Sequence, residues 1–273
     1  MIIDTHSHLN FKAYEKDLSE VVKRCLDNNV WMINVGSKYE TSKRAVEIAE
    51  SYGSGVYASI GLHPIYAGAE FVKMKTDPDE GDFLIKEEVF DYEKYKKLGQ
   101  SEKVAAIGEI GLDYYYKPKT TGKLNAFKEK QKEIFLKQLQ LAKELDLPVI
   151  FHCRMAHQDL IGILKDMPEI KGVIHCFTGS WDEAKQYLDM GLCLGINGIM
   201  FKMDLSETIE KMPIEKILVE TDCPYLTPPQ ENGKRNEPVF IKYVIEKIAE
   251  IRKISYNKIE EQTFLNAKKL FNI

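Results

Sequence analysis

Short apolar runs of strand length recur along the chain, and each is followed by a longer stretch with helical periodicity. The runs are continuous rather than alternating, which is typical of strands buried on both faces of a parallel sheet. Between them, as from Leu18 to Leu26, apolar residues recur at the spacing of one helix face. The eight predicted strands are Ile2-Ile3, Trp31–Val35, Val56–Ile60, Val104–Ile107, Pro148–Phe151, Gly172–Ile174, Leu192–Ile196 and Ile217–Val219.

Eight strands alternating with helices predict an α/β protein with a (β/α)₈ barrel, the TIM barrel. An open, doubly wound sheet is the alternative, and the number of strands alone does not separate the two. The chain has 273 residues, a length at which such barrels form one domain. We therefore expect a single domain over residues 1–273.

Two regions break this alternation. Ala67–Gly99 is long for one connection, and we interpret it as an insertion after the third strand with a helix near Glu88–Lys97. Glu237–Ile273 predicts two helices that close the outer helical layer. The charged residues of the insertion include Lys73, Lys75, Asp77, Asp79, Glu80 and Asp82.

Charge and composition exclude few functions. The formal net charge of -4 argues against a general nucleic-acid coat protein, but it is compatible with a nuclease whose bound cations attract phosphate. No apolar run approaches the roughly 20 residues of a membrane span, and no leader pattern opens the chain. Five cysteines without a C-x-x-C pair suit reduced thiols. We expect a cytoplasmic protein without membrane contact, and a monomer by default.

Five of the six histidines lie at or just after a predicted strand. In a barrel, functional side chains lie at the C-terminal ends of the strands, where loops from different strands meet. Histidines scattered through a core would not share that position. They are His6, His8, His63, His152 and His175.

The spacing of these histidines points to metal binding. His6 and His8 form H-x-H, and side chains two apart on a strand point to the same side. His152 and His175 follow neighbouring strands, so they are able to share a second ion.

Carboxylates complete the candidate set. Glu109 follows the fourth strand and Asp222 the eighth, and an acid after a buried run is costly unless it is paired or bound to metal. Glu220 and Asp113 are competitors. We favour Asp222 because Glu220 still lies within the apolar run, and we assign Asp113 to the loop as a helper or turn residue.

Cysteines directly follow three of the proposed ligands. Neighbouring strand residues point to opposite faces, so Cys153, Cys176 and Cys223 are expected to point away from the ions as small buried hydrophobes. We expect His157, in the helix after the fifth strand, to have a surface or loop role.

At these residues the chain resembles the TatD family of metal-dependent deoxyribonucleases, among the amidohydrolase-like barrels. The matching segments run in the family's order along nearly the whole chain, and so many motifs in register are highly specific. They are Asp4-Thr-His-Ser-His-Leu9, Gly61-Leu-His-Pro64, Gly108-Glu-Ile-Gly-Leu-Asp-Tyr-Tyr115, Leu147-Pro-Val-Ile-Phe-His-Cys-Arg154, His175-Cys-Phe-Thr-Gly-Ser180, Glu220-Thr-Asp-Cys-Pro-Tyr-Leu-Thr-Pro228 and Arg235-Asn-Glu-Pro238.

The resemblance implies two divalent ions (Mg²⁺, Mn²⁺ or Zn²⁺). His6, His8 and Asp222 would hold one ion, and His152 and His175 the other. Glu109 would bridge them, where many relatives use a modified lysine.

The resemblance also implies substrate contacts. His63 would contact the scissile phosphate or support the site from behind. Arg154 and Arg235 are phosphate-contact candidates, since a guanidinium matches two phosphate oxygens. For Arg235 a structural salt bridge is an equal alternative. Aromatic candidates for stacking on bases are Tyr66, Tyr114, Tyr115, Phe177 and Tyr225.

The implied activity is 3′-to-5′ removal of nucleotides from single-stranded DNA ends, with a role in DNA repair. A water bridging the two ions would be the nucleophile, and Asp222 its general base. Alternatives with the same ions are a small-molecule amidohydrolase and a D-aminoacyl-tRNA deacylase; a catalytically inactive metal-binding scaffold is a third. Ile65, Tyr116 and the length of the insertion depart from the family pattern, which leaves the path of the nucleic acid open.

Overall fold

The computed structural model describes residues 1–72 and 86–273 of the chain. Within them, eight strands form one sheet in which each strand pairs in parallel with the next along the sequence. The strands are β1 (Ile2–Ser7), β2 (Val30–Val35), β3 (Val56–Ile60), β4 (Val104–Asp113), β5 (Val149–Arg154), β6 (Gly172–Ile174), β7 (Cys193–Ile196) and β8 (Ile217–Val219).

The sheet curls until its first and last strands meet. A bridge between Ser7 and Cys223 and a hydrogen bond from Thr5 Oγ1 to the Val219 carbonyl (3.1 Å) join the two edges. The fold is therefore the predicted TIM barrel and not the open doubly wound sheet.

Helices lie between the strands and pack on the outside of the barrel. Val21, Val22 and Cys25, for example, are the buried face of α1 and belong to the larger core cluster, which lies between sheet and helices. The helices are α1 (Leu18–Asp27), α2 (Tyr39–Glu50), α3 (Pro64–Ala67), α4 (Tyr92–Leu98), α5 (Thr121–Leu145), α6 (His157–Lys165), α7 (Trp181–Asp189), α8 (Ser206–Lys211), α9 (Ile241–Arg252) and α10 (Tyr256–Phe271).

The two C-terminal helices are confirmed, but the role expected for the last one is wrong. Ala267 and Phe271 of α10 belong to a second core cluster with residues of the strands such as Ile3, Ile33 and Leu218. Asn266 donates to the carbonyls of Ile214, just before β8, and of Ile217, its first residue. Helix α10 thus covers the N-terminal end of the barrel, because the apolar residues inside that end need a lid against water.

Two boundaries differ from the sequence prediction. β4 runs on to Asp113, because its register shifts at Glu109 and pairing with β5 resumes beyond. The helix predicted near Glu88–Lys97 begins only at Tyr92, after the capping side chain of Asp91. The charged residues of the insertion named above lie in 73–85, outside the described residues. None of the helices in the described ranges is long and apolar enough to cross a bilayer.

Candidate metal centre

Histidine and carboxylate side chains from five strand ends converge at the C-terminal mouth of the barrel. The first donor cluster consists of His6, His8 and Asp222. The Nε2 atoms of the two histidines are 3.1 Å apart, and Asp222 Oδ1 lies 3.7 Å from that of His6 and 3.4 Å from that of His8. Three donors thus surround one small space.

The second donor cluster consists of Glu109, His152 and His175. Glu109 Oε1 lies 2.5 Å from His152 Nδ1 and 3.1 Å from His175 Nε2. The other oxygen, Oε2, lies 3.6 Å from His6 Nε2, in the first donor cluster. The two oxygens of Glu109 therefore face two different clusters.

The spacing of the donors fits divalent ions. Two ligand atoms that each lie about 2.1 Å from one tetrahedral ion are about 3.4 Å apart. The distances of 3.1, 3.4 and 3.7 Å in the first donor cluster match that spacing. Without a cation, the buried histidine nitrogens and carboxylates of the two donor clusters would face one another. Burying such polar groups without a partner costs free energy of desolvation.

The neighbouring histidines keep the carboxyl group of Glu109 charged. Burial works to raise the pKa of Glu109, but the electrostatic interaction with His175 and the contact with His152 hold it well below its usual range. The pKa of Asp222 is also lowered, because the interactions with His8, His175 and His6 outweigh the effect of burial. Both carboxylates are therefore anionic, as ligation of a cation requires.

A β-bulge directs Glu109 into the centre. β4 and β5 pair Gly108 with Ile150 and Ile110 with Phe151, so Glu109 is the extra residue that the partner strand does not match. Gly111 beyond it has φ +147°, and a Cβ there would lie 2.0 Å from the His152 carbonyl oxygen. The sequence Gly-Glu-Ile-Gly thus lets β4 bend close to β5 while it presents the carboxylate.

The first donor cluster is tied together across the closure of the barrel. Asp4, fully buried, accepts hydrogen bonds from Thr221 N (2.9 Å) and from His6 N (3.2 Å). The Asp222 amide donates to the His6 carbonyl at 2.9 Å, and Asp222 itself has φ +55°. These contacts fix the distance between His6 on β1 and Asp222 just after β8.

Hydrogen bonds behind the histidines decide which nitrogen faces the centre. His8 Nδ1 is 2.9 Å from the Val35 carbonyl, and His175 Nδ1 is 3.0 Å from Glu220 Oε1. His152 Nε2 lies 3.1 Å from Asp113 Oδ2. Glu220 and Asp113, the two acids that compete with the proposed ligands in sequence, thus stand behind histidines of the second donor cluster. Each is also close enough to histidines to belong to a further possible donor group.

His63 enters the centre in a different way. It precedes α3 as its N-cap, and its Nδ1 accepts a hydrogen bond from Ile65 N at 3.1 Å. Burial, and then the neighbouring His152, lower the pKa of His63 to about 3, so the ring is neutral. A neutral ring whose Nδ1 accepts carries its proton on Nε2. That atom lies 3.2 Å from His152 Nδ1 and is a donor rather than a free ligand.

Two cavities flank the ligands. The larger, about 390 Å³, extends from the centre past Cys176, Thr178, Ile199 and Leu226 to Arg154. The smaller, about 170 Å³, lies on the side of β1 and β3. Both share His152, His175, Asp222 and Tyr225 as walls; the smaller is otherwise lined by His8, Phe11, Ser37, His63, Ile65, Tyr66 and Glu109.

The two candidate arginines have different surroundings. Arg154 is exposed at the rim of the larger cavity, with its guanidinium carbon 3.6 Å from the ring centre of Tyr115. Arg235 instead binds both Asp17 oxygens, at 3.0 and 2.6 Å, and contacts Glu237 at 3.3 Å. At Arg235 the structure thus shows a salt bridge, which was the alternative to a phosphate contact. The acidic side chains beside the guanidinium neutralise its charge.

Three expectations for neighbouring side chains are wrong. His157 is buried, not a surface residue, since α6 begins at His157 and its Nδ1 reaches Tyr187 Oη at 3.0 Å and Cys153 Sγ at 3.3 Å. Cys176 is half-buried and lines the larger cavity, because β6 ends at Ile174 and strand alternation does not extend to it. Of the five stacking candidates, three are buried in the core: Tyr66, Tyr114 and Phe177. Cys153 and Cys223 are buried as expected, but Cys153 also lines the larger cavity.

Comparisons with known proteins agree over the whole chain. A family model described as TatD related DNase matches residues 3–272. "Uncharacterized metal-dependent hydrolase YabD" of Bacillus subtilis is 39% identical over 100% of both chains. "3'-5' ssDNA/RNA exonuclease TatD" of Erwinia tasmaniensis is 31% identical, also over 100% of both. The crystal structure of the TatD homologue YJJV of Escherichia coli superposes with a TM-score of 0.81 at 29% identity, covering 100% of this chain and 98% of that one.

Proposed function

This chain belongs to the TatD family of metal-dependent hydrolases, and we propose that it is a deoxyribonuclease that removes nucleotides from the 3′ ends of single-stranded DNA. One observation carries the proposal: Glu109 presents one oxygen to each of two donor clusters at the mouth of the barrel. A pair of bridged ions is an arrangement that cleaves phosphodiesters. A relative that is 31% identical bears the name of a 3'-5' ssDNA/RNA exonuclease, which supports the choice of substrate.

The residues present supply a complete ligand set for two ions. His6, His8 and Asp222 would hold the first, His152 and His175 the second, and Glu109 both. When bound, the two ions supply an activated water and neutralise charge on the phosphate. A donor set of imidazoles and carboxylates suits Zn²⁺ or Mn²⁺ and also admits Mg²⁺.

Asp222 is the side chain placed to accept the proton of the attacking water. Its side chain is 17% exposed, against 6% for Glu109, and it lines both cavities. Glu109 is enclosed by histidines and lines the smaller cavity but not the larger one. The lowered pKa of Asp222 keeps it anionic, so an oxygen is unprotonated and available as the acceptor.

His63 and Arg154 supply charge and hydrogen bonds to the phosphate. The Nε2 proton of His63 points into the smaller cavity beside Glu109, and Arg154 lies at the far side of His152. Donors placed on opposite sides of a phosphate stabilise the negative charge that grows on its oxygens during attack. The two side chains thus flank the reacting group.

The cavities support action at an end of the strand. Pockets that hold small ligands measure about 300–1,000 Å³, so the larger cavity of about 390 Å³ has room for one terminal nucleotide. The wall between Ile199 and Leu226 is closely packed, since Leu226 O lies 2.2 Å from where a Cβ on Gly198 would be.

Purified protein with Mg²⁺, Mn²⁺ or Zn²⁺ and 5′-labelled single-stranded DNA tests the proposal. We expect a ladder that shortens from the 3′ end, and no product from a His6→Ala/Glu109→Ala double variant. A blocking group on the 3′ end should prevent cleavage. Absence of degradation with every metal, or equal activity of the double variant, would rule the nuclease out. A panel of lactones, cyclic amides and D-aminoacyl-tRNA then identifies which of the alternative hydrolases is present.

A further inference from the structure

Large apolar side chains are exposed together at one point of the mouth. Tyr115 and Tyr116 are 48% and 49% exposed, and Met155, which follows β5, is 63% exposed. The backbone of this loop is held in place, since Tyr114 N donates to the Arg154 carbonyl at 2.9 Å. Exposed aromatic groups that cluster beside a ligand site are typical of recognition surfaces. This patch is not needed to hold the ions.

The segment that carries the two exposed tyrosines is strongly basic, although the chain as a whole is acidic. Residues 114–128 contain four lysines and no aspartate or glutamate, whereas the whole chain has a net charge of -4. Lys117, Lys119 and Lys123 are exposed, and no ion pair involves them within the part of the chain that the structure describes. The local charge therefore favours a polyanion.

Arg154 links the aromatic side chains to this charge. Its guanidinium lies 3.6 Å from the ring centre of Tyr115 and 6.0 Å from that of Tyr116. It forms no salt bridge with any carboxylate of residues 1–72 and 86–273, unlike Arg235. Stacking on Tyr115 holds the guanidinium in one plane and leaves its N–H groups for a ligand.

The patch is continuous with the metal centre. Arg154 lies two residues beyond His152 on β5, about 7 Å along the strand, and both line the larger cavity. Tyr115 lies two residues beyond Asp113, the last residue of β4. Asp113 contacts His152, and Tyr115 N donates to Asp113 Oδ1 at 2.8 Å. A strand whose end occupies the metal centre would cross this patch.

We propose that Tyr115, Tyr116, Arg154 and Met155, with the lysines of residues 117–123, form a platform on which single-stranded DNA lies as its end enters the centre. This inference rests on the proposed function and adds where the strand is held. Bases stack on the exposed tyrosine rings, Met155 extends the apolar surface, and Arg154 and the lysines contact phosphates. Stacking uses the faces of the bases and is therefore tolerant of sequence.

Base-dependent binding tests the platform. The metal-loaded protein is titrated into a labelled oligodeoxythymidylate with phosphorothioate terminal linkages, which slow cleavage, and into a strand of equal length and charge that lacks bases. We expect the wild type to bind the thymidylate more tightly, by roughly ten- to a hundredfold. In a Tyr115→Ala/Tyr116→Ala variant that difference should disappear, while a Tyr115→Phe/Tyr116→Phe variant should keep it.

The contribution of Arg154 is tested against a matched pair at the other end of the barrel. Lys103 Nζ lies over the Tyr57 ring at 5.6 Å, before β4 begins. Arg154→Ala should weaken binding of both strands and reduce its dependence on salt, and Lys103→Ala should change neither.

Three results would overturn the platform: equal affinity of the wild type for both strands, an unchanged preference for bases in the alanine variant, or equal effects of Arg154→Ala and Lys103→Ala. Cleavage of an unmodified strand is measured in parallel. A protein that binds in this pattern but does not cleave contradicts the proposed nuclease and supports the platform, so the two failures are distinguishable.

Discussion

Four of the five histidines of the centre are oriented by the group on their far side, so single hydrogen bonds determine what each of these rings can do. His8 turns Nε2 inward because Val35 occupies Nδ1, and His175 does so because Glu220 occupies its Nδ1. His63 follows the opposite pattern, since its Nδ1 accepts from Ile65 and its Nε2 keeps the proton. Histidines that all lie at strand ends in the sequence therefore have two different roles.

His63 is expected to act as a donor and not as a ligand. A His63→Ala variant should lose about 100- to 1,000-fold in kcat, with unchanged metal content. A His63→Gln variant, which keeps an N–H donor, should recover part of the rate. Kinetics on single-stranded DNA and elemental analysis of the same preparations check both. Loss of one metal equivalent in His63→Ala would show that the ring is a ligand.

Glu220 is expected to support metal binding from behind His175. Its Oε1 also accepts from Cys176 N (2.7 Å) and Asn197 Nδ2 (2.9 Å), so it joins three segments of the site. Glu220→Ala should weaken metal affinity about 10- to 100-fold, measured by titration with a competing chelator. Glu220→Gln keeps an acceptor oxygen and should lose less. Equal affinity in all three proteins would contradict this role.

At the scale of elements, the bulge in β4 and the last helix have separate tasks. The bulge aims Glu109 between the clusters, and α10 covers the opposite end of the barrel. Apolar runs predicted strand β4 and helix α10, since strand and helix periodicities are local properties of the sequence. They did not predict the bulge, because a glycine-flanked glutamate after Ile107 also fits the end of a strand.

The cover formed by α10 is expected to matter for stability and not for catalysis. Phe271 is 3% exposed, so Phe271→Ala should lower the free energy of unfolding by about 3–5 kcal/mol. Leu265 of the same helix is 50% exposed, and Leu265→Ala should change it by less than about 0.5 kcal/mol. Chemical denaturation measures both. A similar loss in the two variants would show that α10 does not act as the cover.

For the whole molecule, the ions should stabilise the fold as well as supply the chemistry. The six proposed ligands come from five strands, β1, β4, β5, β6 and β8 or the residues just after them, so bound ions cross-link the mouth of the barrel. A ligand that binds only the native state shifts the unfolding equilibrium toward it.

Removal of metal is therefore expected to lower both activity and the melting temperature. Treatment with a chelator should abolish cleavage and shift Tm downward, and added Mn²⁺ or Zn²⁺ should restore both. The His6→Ala/Glu109→Ala variant serves as control, because its Tm should respond little to either step. Calorimetry with and without chelator checks this, and an unchanged wild-type Tm would argue against ions that bridge the strands.

The sequence by itself determined the eight strands and the set of six candidate ligands, because periodicity and position at strand ends are properties of local sequence. It left an open sheet as the alternative to the barrel, and the contacts between β1 and the segment after β8 decided that the sheet closes. The family comparison confirms the resemblance that those motifs carried. That residues 1–273 form one domain, and that the protein is cytoplasmic, stay predictions. His157 and Arg235 show the limit of local sequence: nothing beside them revealed that Tyr187 and Asp17 would be their partners.

Only the tertiary structure decided which oxygen of Glu109 faces which cluster, which nitrogen of each histidine points inward, and which aromatic side chains reach solvent. Tyr114 is 4% exposed and Tyr116 is 49% exposed, although they stand two residues apart in one run of tyrosines. The run of lysines after them, without an acid, was the available signal for the platform. Burial and hydrogen-bond partners are set by strands that meet across more than a hundred residues, and local sequence does not contain that information.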